Sequence, residues 1–220
     1  KDTSLYVKTL RNLPIFNSFQ ITNEDIKKGQ IYAAQRRRKT HESSFTNIDD
    51  FLSSLEMEVK CEDVNEFTVN RVSQLVMKTN QFNLTSKRYS DDEIKNMAFD
   101  DNYIIRTFSV IDKFGDNGLV GLYIIKKISS KDWIIDSFLL SCRIMGRNIE
   151  NVMLNDILQL AQQENIEKIE GEYIPSTKNS VTKDLYIKYG FRNISDTKFV
   201  LDNIQNFTLN QLSYIKSTNK

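Results

Sequence analysis

Apolar residues recur along this chain in two rhythms, every second position and every third or fourth, and the switches between them predict the elements. Leu55 to Cys61 alternates, with Leu55, Met57, Val59 and Cys61 on one side and glutamate or lysine between them, which predicts a half-buried first strand. From Phe67 to Thr79, Phe67, Val72, Leu75 and Val76 fall at helical spacing, and Asp91 to Ala98 gives a second short helix. Tyr103 to Ile111 and Leu119 to Ile128 read as strands joined by "DKFGDNG", where Asn117-Gly118 tolerates the positive φ of a tight turn. Trp133 to Leu140 is a further strand. Ile149, Val152, Met153, Leu154, Ile157, Leu158 and Ala161 then trace an amphipathic helix that starts right after Gly146-Arg147-Asn148. Lys168 to Tyr173 is again a strand and Asn179 to Tyr189 a helix, closed by Gly190 as a left-handed terminator. Phe199 to Leu201 adds a last edge strand.

Upstream, Leu10 to Phe19 reads as a loop around Pro14, and Thr22-Asn23-Glu24-Asp25 opens a helix that runs to about Lys39. Asp49 or Asp50 starts a short helix with Phe51, Leu52 and Leu55 on one face. The final "KSTNK" is expected to fray. The main order is β-α-α-β-β-β-α-β-α-β, an α/β pattern without internal repeats.

Composition narrows the function. In 220 residues, 30 basic side chains nearly cancel 29 acidic ones for a formal charge of +1, so no global field draws nucleic acid. No run approaches the roughly 20 apolar residues of a membrane span. Two cysteines, Cys61 and Cys142, fit a reducing cytoplasm rather than a disulfide scaffold. The start at Lys1, with neither initiator methionine nor signal segment, is expected of a piece of a longer protein. One histidine and two distant cysteines make no metal ligand set.

Cys142 is the foremost candidate for chemistry, because a thiolate is the strongest neutral-pH nucleophile available to a protein. Arg143 and Arg147 flank it, and a helix begins nearby, features that favour the anion. The other reading is a small hydrophobe at a strand end. Cys61, inside an alternating strand, reads as core. The amides of "TNQFN", Asn80 and Asn83 among them, could orient a polyol or merely shape a turn. Asp112 and Asp116, flanking the hairpin, could meet substrate hydroxyls or face solvent. His41 follows "RRRK" and is poorly placed to serve Cys142 as a base. Arg36 to Lys39 read as a solvated helix end that an acidic partner could use for docking.

The element order, together with "YIKYGF" at the close of a late helix, resembles the GNAT acyltransferase fold from about Leu55 to Leu201. "VSQLVMKTNQFNLTSKRY", "DKFGDNGLVG", "SFLLSCRIMGRNIE" and "GEYIPSTKNSVTKDLYIKYGF" are similar to the C-terminal half of FkbH-like proteins. That resemblance implies a GNAT-like mixed sheet flanked by helices over residues 55–220, and residues 1–54 as the helical tail of an N-terminal phosphatase domain of the haloacid dehalogenase (HAD) superfamily. The phosphatase motif D-x-D-x-[TV] occurs nowhere in the chain. The implied activity is transfer of a glyceryl group from an activated glyceryl phosphate to Cys142, then to the phosphopantetheine thiol of an acyl carrier protein. No cofactor is expected to reside in the chain; the carrier's arm is a co-substrate.

By the same resemblance, "RIMGRN" occupies the place of the GNAT pyrophosphate loop R-x-x-G-x-G/A, with Asn148 where the small residue stands. Arg143, Gly146, Arg147 and Asn148 become candidates to hold a phosphopantetheine phosphate. Tyr186 would supply a proton near the leaving thiol or pack on the sheet, and Asn179 would hold the pantetheine or cap its helix. Two other functions are weighed: a coenzyme A-dependent N-acetyltransferase, and a non-catalytic carrier-docking module.

Overall fold

The computed structural model of the chain describes residues 23–208 and 212–219. The loop expected at 10–19 and the helix opening at Thr22 lie outside them. Helix α1 spans Asn23–Glu42 and α2 spans Ile48–Ser54. Asn47, rather than either aspartate, caps α2, its side chain accepting from the Asp49 amide at 2.9 Å. Strand β1 (Met57–Asp63) buries Met57, Val59 and Cys61 in alternation, as its pattern requires.

Helix α3 (Val69–Lys78) presents Val69, Val72, Leu75 and Val76 to the sheet. Phe67 takes no part: it precedes the helix and is 96% exposed. A two-residue strand, β2 (Phe82–Asn83), follows, and then α4 (Asp91–Ala98), opened by a reciprocal capping box between Ser90 and Glu93. Strands β3 (Tyr103–Asp112) and β4 (Gly115–Lys127) form the expected hairpin, but the turn is Lys113-Phe114. Asn117-Gly118 lies inside β4 instead, where the register slips, and Gly118 at φ +66° forms part of that irregularity.

Strand β5 (Asp132–Leu140) leads to α5 (Ile149–Gln163) and β6 (Lys168–Glu172). β5 and β6 are parallel, and α5 is the crossover that such a pair needs. The helix expected over 179–189 is two short pieces, a single 3₁₀ turn at Ser180–Thr182 and α6 (Leu185–Lys188), with Gly190 at φ +76° as expected. Strands β7 (Arg192–Asn193), β8 (Lys198–Asp202) and β9 (Ile215–Asn219) complete the sheet in the order β7-β8-β6-β5-β4-β3-β1-β9, with β2 beside β5. β8 is therefore flanked on both sides, by β6 and β7, and is not an edge. The tail expected to fray pairs in parallel with β1 from Ile215 to Asn219.

Period-two alternation in the central strands feeds two cores. Tyr123, Ile125, Phe138 and Leu140 face α2, α5 and α6, while Leu122, Ile124 and Leu139 face α3 and α4. Gly121 lets α5 approach, since a Cβ there would meet Met153 Sδ at 2.9 Å. Helix α1, expected to end in solvated cations, docks instead: Arg38 is buried and pairs with Asp112 at 2.6 Å.

Candidate functional site

The turn after β5 carries the candidate thiol. The Ser141 amide bonds the Val120 carbonyl, and Ile144 is buried as an anchor, so the backbone from Ser141 to Ile144 is fixed to the sheet. Cys142 projects from this anchored turn and is exposed. Arg143 lies beside it with its Nε donating to Ser141 Oγ at 3.3 Å. Burial lowers the Arg143 pKa below its ordinary value, Arg71 on α3 lowers it further, and Cys142 and Asp116 oppose. Among the described residues no carboxylate forms an ion pair with Arg143 or Arg71; Arg71 donates only to Gln74. An accessible sulfur beside Arg143, a cation that no described carboxylate ion-pairs, is suited to an anionic electrophile.

Other expected anion-binding groups are committed elsewhere. Arg147 turns inward, donating to Asp112 at 3.0 Å and to the Arg143 carbonyl at 3.1 Å. Burial and the neighbouring Arg38 depress the Arg147 pKa, and Asp112 works against them. Gly146 does adopt φ +75° and Asn148 φ +60°, but the Asn148 amide donates to Tyr214 Oη at 2.6 Å and caps nothing. At the start of α5 one carboxylate oxygen of Glu150 has no hydrogen-bond partner among the described residues. Burial raises the Glu150 pKa, against its own backbone amide and Lys188. The loop keeps left-handed residues at Gly146 and Asn148, but its Arg147 side chain is committed to Asp112.

Asp112 is not a substrate contact. Its side chain is 0% exposed and accepts from Arg38 Nε and Nη2, Arg147 Nη1, the Phe114 amide and Asn117 Nδ2. Asp116 accepts from the Gly118 amide at 2.6 Å and shapes the turn. Tyr186 is 1% exposed, with its ring on Gly171 and against Phe191 and Phe199. Its hydroxyl lies near the Glu172 backbone without completing a hydrogen bond, and burial drives its pKa far above the phenol range. It is a core aromatic with no opening to a thiol.

The amides expected to hold substrate instead hold the chain together. Asn179 is fully buried: Nδ2 donates to the Asn83 and Ile174 carbonyls, both at 2.9 Å, and Oδ1 accepts from the Ser176 amide and Tyr173 Oη. All four of its capacities are used. Asn83 donates to the Thr79 carbonyl and accepts from the Ser86 amide, and the exposed Asn80 accepts from Arg88. Among these, only Asn80 faces solvent.

The sheet parts where a substrate groove would lie. β5 and β6 pair only from Asp132 to Ile135 and from Lys168 to Gly171, and then diverge. Asp136 is the extra residue of a bulge against β4, between the Ile125–Ile135 and Ile124–Ser137 pairs. Its carboxylate accepts from Lys87 Nζ at 2.7 Å and Tyr89 Oη at 2.8 Å. Burial and then this bond to Asp136 push the Tyr89 pKa up, so the phenol stays protonated. Sequence reading missed this Lys87–Asp136–Tyr89 cluster as well as Arg71, although "SKRY" carries two of its members.

His41 sits between Phe45 and Phe114 and contacts Ser54 and Lys113. Its Nε2 faces Ser54 Oγ at 2.9 Å and Lys113 Nζ at 2.8 Å, and no contact joins His41 to Cys142. Cys61 belongs to a buried set with Arg106, Asp156 and Tyr123, its Sγ accepting from Arg106 Nε at 3.2 Å. Burial, with Asp156, pushes the Cys61 thiol up to about 12. Among the described residues no His, Cys, Asp and Glu side chains converge on a metal position, and no helix is long and apolar enough to cross a membrane.

A mixed sheet of this order, with α3 and α4 on one face and the crossover helix α5, flanked by α2 and α6, on the other, is the GNAT acetyltransferase fold. Ard1 from Thermoplasma volcanium is similar at 14% identity and TM-score 0.51, over 64% of this chain and 94% of that one. The spermidine N-acetyltransferase from Vibrio cholerae, solved with CoA and spermine, is similar at 14% identity and TM-score 0.51, over 67% of this chain and 96% of that one. A domain from Methanocaldococcus jannaschii aligns at 9% identity and TM-score 0.53, over 66% and 99% of the two chains. No family model and no curated protein matches the sequence.

Proposed function

We propose that this chain is an acyltransferase of the FkbH-like kind, in which Cys142 takes a glyceryl group and passes it to the phosphopantetheine thiol of an acyl carrier protein. The Cys142 thiolate attacks the carbonyl of an acyl phosphate, the carbon–oxygen bond to phosphate breaks, and phosphate leaves with the electron pair. The carrier's thiolate then attacks the resulting thioester and Cys142 departs as thiolate. Exchange between thiols is nearly isoenergetic, so rate comes from alignment and from charge stabilisation at the acyl oxygen. Arg143 and Arg71 are the cations that would face the donor's phosphate.

The exposure of Cys142 on an anchored turn beside Arg143, itself within reach of the Arg71 charge, carries this reading. The quoted motifs support the FkbH-like assignment, under which residues 1–54 join the domain to a HAD-like partner domain of the same protein. Likeness to N-acetyltransferases favours a second reading, acetyl transfer from coenzyme A to an amine. That reaction needs no cysteine. Incubating the chain with an acyl phosphate of glycerate and measuring its intact mass separates the two: one glyceryl adduct forms on the native chain and none on Cys142→Ser. An adduct of equal yield on Cys142→Ser sinks the thioester mechanism.

A further inference from the structure

Where β5 and β6 diverge, the gap is filled by this chain. Phe82 and Asn83 pair antiparallel with Leu140 and Leu139 of β5. Leu84 spans both walls: its amide donates to the Phe138 carbonyl at 3.2 Å, and its carbonyl accepts from the Ile174 amide at 2.8 Å. Thr85 Oγ1 donates to the Asp136 carbonyl, and Asn179 clamps Asn83 to Ile174. Leu84 is 0% exposed. Arg88 holds the base of this segment to the end of α3 through the Val76 carbonyl and Asn80.

A pantetheine arm carries two amides, and to lie between parted strands it must pair with their free backbone groups as a short strand would. Those groups on Phe138 and Ile174 are taken by Leu84. The nucleotide end of coenzyme A meets a second obstacle, because the Arg147 guanidinium is already bound to Asp112.

We infer that Phe82–Thr85 is a built-in strand that closes the gap between β5 and β6 to coenzyme A, and that the thiol exchanging with Cys142 arrives over the protein surface. Asn83, Leu84 and Asn179 thereby select a carrier-borne thiol over a free cofactor. A carrier supplies its own protein contacts, so its arm needs no groove of its own: docking raises the effective thiol concentration at Cys142. Closure stands on the hydrogen bonds alone, whereas surface arrival rests on the proposed role of Cys142.

Hydrogen exchange of the native chain, read at the Leu84 and Ile174 amides, tests both parts. The probes are excess coenzyme A and, separately, pantethine, the disulfide of pantetheine. In the second reaction the Cys142 thiolate attacks one sulfur, the S–S bond breaks, and one pantetheine thiolate leaves. Both amides are expected to exchange slowly and equally with and without either probe, while pantethine tags Cys142. Faster exchange at Leu84 or Ile174 with either probe overturns closure, and failure to tag Cys142 in a closed protein overturns surface arrival.

In Asn179→Ala, once its Trp133 fluorescence shows it folded, the clamp is loosened and exchange at both amides is expected to rise roughly tenfold while Cys142 tagging keeps its native rate. Tagging that accelerates in step with exchange would make the gap the route and overturn the inference. Normal tagging and closure without acyl capture from the glyceryl donor would remove the proposed reaction and leave the closed gap standing.

Discussion

Asp112→Asn isolates the ion cluster that fastens α1 and the turn after β5 to the sheet. The native carboxylate is completely buried and takes five hydrogen bonds, three of them from Arg38 and Arg147. Asparagine preserves the shape, but it cancels the negative charge and turns an NH2 group toward donors. Among the described residues, two guanidinium cations are then left buried with no counter-ion in contact. Removing one member of a buried pair costs about 3–5 kcal/mol, out of a total stability of roughly 5–15 kcal/mol. With a urea slope near 2 kcal/mol per molar, the midpoint falls by roughly 1.5–2.5 M. Trp133, the single tryptophan, is buried and gives the fluorescence signal.

The same carboxylate sets a pH dependence. Burial pushes the Asp112 pKa up, but bonds from Arg38, the Phe114 amide and Asn117 outweigh it and hold the carboxyl below its ordinary value of 3.8. Because the folded pKa is the lower one, this stabilisation is complete above the unfolded value and is lost as pH falls through the folded one. Native stability therefore declines below about pH 4, and Asp112→Asn lacks that component. A midpoint shift under about 0.5 M, or an unchanged acid limb in the variant, would refute the reasoning.

Gly171→Ala places a Cβ 2.4 Å from the Tyr186 ring and should destabilise by about 1–3 kcal/mol in the same urea titration. Tyr186→Phe removes a buried hydroxyl that has no partner, so stability should hold or rise by less than about 1 kcal/mol; a clear loss would reveal a bond to Glu172. Iodoacetamide at neutral pH should modify only Cys142 in the native chain and Cys61 after unfolding, as mapped by peptide mass, because Cys61 is sealed in the core with its thiol at about 12.

Elements whose stability comes from a repeating buried face were legible in the sequence. The alternation of Met57, Val59 and Cys61 and the helical period from Ile149 to Ala161 both reappear as buried faces. Local pattern failed where a distant partner decides. Two residues carry no period, so β2 could not be seen until Leu140 and Leu139 were beside it. "RRRK" looks solvated because the acid that buries Arg38 lies 74 residues away. Asn117-Gly118 has turn chemistry, yet the hairpin closes at Lys113-Phe114 and spends that glycine on an irregularity of β4.

At the site, Cys142 is exposed, as the proposed reaction requires, whereas Asn83, Asp112, Arg147 and Asn179 are internal ties. Amides and ion-pairing groups look alike in sequence whether they face a ligand or a carbonyl. Which they face is settled by tertiary contacts that no local signal encodes.

The most direct measurement is the intact mass of the chain after exposure to the glyceryl phosphate donor, with the adduct mapped by peptide fragmentation. A single glyceryl thioester on Cys142, absent in Cys142→Ser and discharged by a pantetheine thiol, is the expected result. An adduct on another residue, or none while an amine substrate is acetylated from acetyl coenzyme A by Cys142→Ser, would contradict it.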